Sequence, residues 1–287
     1  MCGLTVMAPP MLRAALMMIL GMALIPLGDS AGKAAMDAFD VSPIFVAWTR
    51  FALGALMLLP FLGSAALEPR HLIDPRIVFR GLLIVGGIVS ILTSLQTEPL
   101  PNVFAAFFIG PIVAYGLSIW LLGETANPAR TVLLAVGFFG VLLVVRPGFG
   151  MSPGLAFALL AGVFYGSYLT ASRWLSGVAT ARALLFTQLV VGAVALAPLA
   201  LGKTPIMGLA VFALLAASAA ASLAGNLLLV LAHRRAPASR LAPFVYFQLV
   251  AATAFGWLFF GDLPDALALS GLALLMVTGF ATLALRR

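Results

Sequence analysis

Leu121-Leu122-Gly123-Glu124 recurs 138 residues later as Phe259-Phe260-Gly261-Asp262, and the register of that recurrence decides the fold. At the same offset Thr49-Arg50 lies opposite Thr187-Gln188, Gly54 opposite Gly192 and Pro60 opposite Pro198. Gly28 falls on Gly166, Gly87 on Gly225 and Pro99 on Pro237. Single matches carry little in a chain rich in Gly, Ala and Leu, but a shared register points to duplication. The offset is close to half of the 287 residues, so the duplicated unit fills the chain. Two similar membrane halves can rock about a site between them, which is the architecture of a transporter.

Hydrophobic residues make up 63% of the chain and charged residues 9%, with a mean hydropathy of +1.16. A soluble domain carries about 25% charged residues. So many apolar side chains cannot hide in one water-soluble core, so they face lipid. The expected fold is an all-α polytopic membrane protein. The net charge of +7 does not indicate nucleic acid, because Lys and Arg are scattered at helix ends rather than gathered on one face. The partners expected are the lipid bilayer and a small-molecule substrate. The single Cys2 supports neither a disulfide framework nor a metal cluster, and no motif assigns a cofactor or an oligomeric state.

Charges, Pro and Gly cut the sequence into ten apolar segments near 13–36, 43–62, 77–97, 101–122, 128–146, 153–174, 181–200, 207–232, 238–260 and 265–285. Most match the ~20 residues that cross a bilayer. The longest linker, around Glu68 to Arg76, reads as a surface turn with Pro69 and Pro75. The first segment, with Arg13 ahead of an apolar run, has some features of a signal peptide. Its run continues past Asp29 into Ala31 and Ala35, however, and it has a partner in the second half. Alternate loops differ sharply in basic content. One side holds Arg13, Arg70, Arg76, Arg80, Arg130, Arg173, Arg182, Arg234, Arg235, Arg240, Arg286 and Arg287; the other holds Lys33, Arg146 and Lys203. That bias places both termini in the cytoplasm. Five spans per half is an odd number, so residues 149–287 enter the membrane from the side opposite to residues 1–148. The expectation is ten transmembrane helices as two inverted five-helix repeats.

Ionisable groups inside spans mark a pathway or a pair. Asp29 and Lys33 are four apart and share a face. They can neutralise each other, or Lys33 can meet a substrate carboxylate while Asp29 holds it. Arg50 lies too deep in span two for easy snorkelling, and either ties to carbonyls or Asp29 or binds substrate. The neutral polar groups in spans include Ser90, Thr93, Ser94, Gln96, Tyr115, Tyr168, Gln188 and Gln248, of which the Ser and Thr read mostly as carbonyl caps or interhelical packing. Asn226 has two donors and an acceptor to satisfy at mid-membrane. Trp120, Trp174 and Trp257 fit an interface belt; Trp48, Tyr165 and Tyr246 lie farther in, where they can stack on a flat substrate. The binding candidates are therefore Lys33, Trp48, Arg50, Tyr165, Asn226 and Tyr246. Pro26, Pro111 and Pro243 interrupt spans one, four and nine, and Gly110 beside Pro111 makes span four the hinge candidate.

Lys33 at the end of span one, Trp48-Thr49-Arg50-Phe51 in span two, Leu121–Glu124, Ala242-Pro243 and Phe259–Asp262 follow one another in an order the chain shares with a known group. It resembles a ten-helix member of the drug/metabolite transporter superfamily, of the EamA-like kind. Asp262 departs from the usual Glu, and Gln188 stands where the first copy has Arg50. Within the superfamily the chain is most similar to the YddG-type aromatic amino-acid exporters. That likeness implies outward movement of aromatic amino acids across a bacterial inner membrane by alternating access, through a pore lined by the first four spans of each half. An enzyme is disfavoured: the only histidines, His71 and His233, read as cytoplasmic loop residues, and there is no G-x-S-x-G, H-E-x-x-H or P-loop pattern and no facing pair of acids within spans. A channel would want a filter or a charged ring, and a non-transporting scaffold or insertion factor is the remaining alternative. Reporter fusions at Arg287 and within the Gly202–Pro205 loop should report opposite sides of the membrane. The same side for both would overturn the ten-span topology.

Overall fold

The computed structural model describes residues 9–62, 68–146, 151–175, 177–236 and 241–284. Cys2, Pro237, Arg240, Arg286, Arg287, the expected boundary between 148 and 149, and the outer limits of spans nine and ten lie outside them. The elements are α1 (Pro9–Phe39), α2 (Pro43–Leu58) with a 3-10 turn (Leu59–Phe61), α3 (Pro69–Ile73), α4 (Pro75–Leu95), α5 (Leu100–Phe107) and α6 (Gly110–Leu122). These are followed by α7 (Pro128–Val145), α8 (Pro153–Trp174), α9 (Ala181–Leu201), α10 (Leu209–His233), a 3-10 turn (Ala242–Tyr246), α11 (Phe247–Phe260) and α12 (Ala266–Ala284). No strand occurs among the described residues.

Helix starts follow a local code of a capping side chain followed by proline. Ser42, Asp74, Asn127 and Ser152 each accept a backbone N–H of the first turn, and each is followed by Pro at the first helical position. The ends of α6 and α11 explain the motif shared by the two halves. Gly123 and Gly261 adopt left-handed φ of 66° and 72°. The next amides reach back identically, Glu124 N to Ser118 O at 3.3 Å and Asp262 N to Gly256 O at 3.0 Å. This is the Schellman closure that favours Gly.

Among the described residues, eight helices are long and apolar enough to cross a membrane, counting Leu100–Leu122 as one, and two shorter apolar helices occupy Phe244–Phe260 and Ala266–Ala281. Span nine is short because its first turn is 3-10; from Ala242 to Phe260 the element still crosses the bundle. The protein is thus an all-α polytopic membrane protein of ten spans in two inverted sets of five. The structure departs from the expected elements in three places. Span four is split at Phe108–Ile109, directly before Gly110-Pro111. The Glu68–Arg76 linker carries the short helix α3. His71 lies in that helix and His233 closes α10, so neither is a loop residue.

Packing repeats the sequence register. α1 packs on α10 as α8 packs on α4; α2 meets α10 as α9 meets α4; α2–α9 and α7–α12 are their own images. At the α2–α9 crossing the repetition reaches single residues. A Cβ at Gly54 would lie 3.2 Å from Leu189, and one at Gly192 would collide with the ring of Phe51; Phe51 and Leu189 are themselves 138 apart. Phe108 and Tyr246, another repeat pair, pack on each other with ring centres 5.2 Å apart and planes tilted by 40°. At the periphery α7 and α12 pack through Gly140 and Gly271, each against the other's carbonyl. Arg146 pairs with Asp265 at 2.6 Å across the same helices. The Ala268 amide and then Arg146 hold the Asp265 carboxyl below its ordinary range. Outward-facing Leu56, Phe139, Val194, Leu258 and Val277 form the lipid-exposed surface, and Trp120, Trp174 and Trp257 lie exposed near helix ends. Gly192→Ala should destabilise the detergent-purified protein by about 1–3 kcal/mol through overpacking against Phe51. Gly116→Ala, with open space around it, should be neutral or better. Thermal unfolding of the two variants checks this.

Candidate functional site

A cavity of about 480 Å³ lies between the halves. It draws on every span except α7 and α12, and repeat pairs face each other across it: Arg50 and Gln188, Phe51 and Leu189, Ile88 and Asn226, Ile91 and Leu229. It therefore sits on the pseudo-two-fold axis. At the end of the bundle where α1 begins, its lining includes the exposed Ala181 and Arg234, so it is open there.

The opposite end is sealed. Lys33 Nζ donates to Leu95 O at 2.6 Å, lies 3.5 Å from Asp37 and sits 5.5 Å from the ring centre of Phe260. Glu98 accepts a hydrogen bond from Ser152, tying the α4–α5 connection to the start of α8. Next to this cluster, burial raises the Asp262 carboxyl, with Lys33 opposing.

On the sealed side of the cavity stands Arg50. Its Nη1 donates to Asp29 Oδ1 at 2.5 Å, Nη2 to Gly28 O at 2.7 Å and Nε to Ser218 Oγ at 2.7 Å. The Ser218 hydroxyl in turn donates to Gly28 O at 2.8 Å. Arg50 is 5% exposed and Asp29 2%. One guanidinium thus ties spans one, two and eight together, and Gly32 lets it lie against α1. The Asp29–Lys33 pairing expected from their spacing does not form. Arg50 reaches Asp29 instead, and Lys33 turns to Asp37, one turn farther on.

Toward the open side stands a second buried guanidinium, Arg80 on α4. Its Nε donates to Ser172 Oγ at 2.7 Å, Nη1 to Leu184 O at 3.2 Å and Gln188 Oε1 at 3.1 Å, and Nη2 to Tyr168 Oη at 2.6 Å. Its Cζ lies 4.4 Å from the Tyr168 ring centre. Tyr168 donates to Gln188 Oε1 at 3.0 Å, stacks on Tyr165 at 6.0 Å, and Tyr165 meets Phe107 at 4.9 Å. Phe107, Tyr165, Tyr168 and Arg80 form one continuous row of contacting groups. Tyr165 and Tyr168 fall on one helix face because they are three residues apart.

Of the six binding candidates, the cavity brings together Arg50, Tyr165 and Asn226. Asn226 donates to Ser222 O at 2.8 Å within its own helix. The other three lie elsewhere. Lys33 is spent on the seal. Trp48 donates to Ala193 O at 3.0 Å across the α2–α9 crossing and packs on Phe45. Tyr246 is wedged between Phe108, Phe280 and Gly279 near α7 and α12. Residue order alone presents Arg80 only as a topology signal. The repeat offers the missing clue: position 80 is the image of Ser218, and Gln188 is the image of Arg50. The contacts Arg50–Ser218 and Arg80–Gln188 are images of one another with the cation moved to the other partner.

The sequence profile of the EamA-like transporter family matches the chain twice, over residues 12–146 and 152–284. The chain belongs to the EamA-like transporter family. It is similar to the pseudopaline exporter CntI of Pseudomonas aeruginosa, 28% identical over 240 residues, covering 82% of this chain and 84% of that one. It is also similar to an S-adenosylmethionine uptake transporter of Rickettsia bellii, 25% identical over 236 residues and 80% of each chain. A riboflavin transporter of Rhizobium johnstonii is 27% identical over 246 residues, 80% of this chain and 77% of that one. A solved crystal structure with 18% identity superposes with a TM-score of 0.65 over 95% of this chain and 96% of the other, which shows the shared fold. These relatives carry cargoes other than aromatic amino acids, so the family supports a transporter and not the narrower aromatic-exporter likeness.

Removing one partner of a buried ion pair costs about 3–5 kcal/mol because the other charge stays buried. Asp29→Ala should therefore lower the yield of folded protein far more than Asp37→Ala, whose carboxylate is 41% exposed. Monodispersity and thermal unfolding in detergent measure the difference.

Proposed function

We propose that this EamA-like transporter exports amino acids or related small amphipathic metabolites by alternating access across a bacterial inner membrane, with both termini in the cytoplasm. The observation that carries the reading is the cavity on the repeat axis, open at the end where α1 begins and sealed by Lys33, Leu95 and Phe260 at the other. With the basic loops cytoplasmic, that state loads from the cytoplasm. The wall of Phe107, Tyr165 and Tyr168 offers an aromatic surface, and Arg50, Gln188 and Asn226 supply polar contacts on the remaining sides.

Export requires the seal to open and the cytoplasmic end to close. In an inverted repeat this amounts to each half taking the other's arrangement, residues 1–148 exchanging with 149–287. The interruption at Phe108–Ile109 and the adjoining Gly110-Pro111 are our proposed hinge, because a broken backbone ladder bends at small cost. A channel reading is disfavoured by the sealed end.

Counterflow in proteoliposomes, with and without a pH gradient, tests the proposal on a panel of amino acids and small amphipathic acids. Saturable exchange of at least one amino acid is expected. Exchange of riboflavin or S-adenosylmethionine with none of the amino acids or amphipathic acids would overturn it. Loss of a stacking partner removes about 1 kcal/mol, so Tyr165→Leu should raise half-saturation for an aromatic cargo about fivefold.

A further inference from the structure

We infer that Arg80 is the carboxylate-recognition residue of the cavity, with Gln188 as its partner, and that the cargo carries a free carboxylate which docks where Arg80 meets Tyr168. The inference rests on the transport reading above and assigns its substrate chemistry.

Charge balance carries the argument. The buried Lys and Arg side chains among the described residues are Lys33, Arg50 and Arg80. Lys33 has Asp37 and Arg50 has Asp29. Arg80 takes part in no ion pair among the described residues, although it is only 6% exposed. Its hydrogen bonds go to a serine, a tyrosine, an amide and a backbone carbonyl, all neutral. The repeat shows what is missing. Around Arg50 the set is Arg, Ser and Asp; around Arg80 the position equivalent to Asp29 is Ser167, whose hydroxyl bonds its own helix at Val163 O. An acid that completes one network has no counterpart in the other. A charge held in a span without a counter-ion is costly, and a bound carboxylate supplies one.

Geometry agrees. The ionisable groups lining the cavity are Asp29, Arg50, Arg80 and Arg234, besides the tyrosines, so once Asp29 is matched by Arg50 the lining is positive. A low-dielectric cleft of one sign concentrates the opposite charge. Four of the five Arg80 N–H donors have partners, and the fifth, on Nη2, is left to donate a charge-assisted hydrogen bond to a carboxylate. Gln188 Nε2 makes no hydrogen bond among the described residues and can donate to the same carboxylate. Beside Arg80, the Tyr168–Tyr165–Phe107 wall then covers the apolar body of the cargo. Arg50, its charge already matched by Asp29, acts as a structural tie and offers the cargo only its two remaining N–H groups.

The test compares matched pairs in proteoliposome counterflow: L-tryptophan with tryptamine, and L-phenylalanine with phenethylamine, for the wild type, Arg80→Gln and Arg80→Lys. The wild type should prefer the acid by at least about tenfold, the scale of one charged hydrogen-bonded contact. Arg80→Gln should bring that preference close to unity, and Arg80→Lys should keep part of it. Because the wild-type preference is read without any variant, poor folding of Arg80→Gln leaves the inference exposed to failure. A wild type that moves amine and acid equally overturns it while the transport reading stands. A preference that survives in Arg80→Gln overturns it in the same way. A wild type that exchanges no member of either pair, nor any amino acid or amphipathic acid of the wider panel, overturns the transport reading and this inference together.

Discussion

A guanidinium placed between membrane helices must find hydrogen-bond partners for its donors and a partner for its charge, because lipid offers neither. Arg50 meets both demands inside the chain, and in doing so fixes α1, α2 and α10 relative to one another through Asp29, Gly28 and Ser218. The aromatic wall, the seal and the cavity are arranged around that tie. The ion pair itself adds little over a well-packed apolar contact. Its contribution is specificity of register: one crossing geometry gives each of the three guanidinium nitrogens a partner, and a slip of one helical turn would strand a buried charge.

The polar clusters also explain how two similar halves build one asymmetric cavity. Duplication alone would give identical chemistry at both ends of the axis. Exchange of cation and neutral partner between the images 50/188 and 218/80 keeps an arginine in each interface but moves it to a different helix. Retention of an acid at 29 and a serine at 167 then leaves one arginine matched and the other not. The scaffold stays symmetric in its packing, as Gly54–Leu189 and Gly192–Phe51 display, while the electrostatics becomes directional.

Much of this architecture is legible from residue order. The shared Gly at 123 and 261 marks a helix closure that a left-handed residue makes, so the duplicated motif carries real backbone information. Ser-Pro, Asp-Pro and Asn-Pro pairs announce helix starts for the same kind of local reason. Side-chain destinations are harder to read. Lys33 can reach an acid one turn back or one turn forward, and spacing treats Asp29 and Asp37 as equal; the choice is made by Arg50, a residue on another helix. Trp48 and Tyr246 have the depth expected of cavity aromatics, yet depth along a span says nothing about which way the ring faces. A helical wheel without neighbours does not distinguish the α2–α9 crossing from the lumen. Arg80 is obscured by position: six residues into its helix, it reads as one more basic residue at the cytoplasmic face.

The carboxylate contact for which Lys33 was a candidate thus passes to Arg80 in our inference, and Lys33 is engaged at the seal instead. A latch must release during each cycle, so its bonds should be few and replaceable by water; Lys33 offers a single carbonyl contact, a longer ion pair and a ring face. A recognition group must stay oriented while empty, and the four neutral hydrogen bonds on Arg80 hold its plane against Tyr168 without cancelling its charge. An arginine suits this second task better than a lysine because its fork keeps direction as well as charge. Separating the two roles across the membrane lets the seal open without disturbing the group that holds the cargo. That separation is what a carrier needs and a static pore does not.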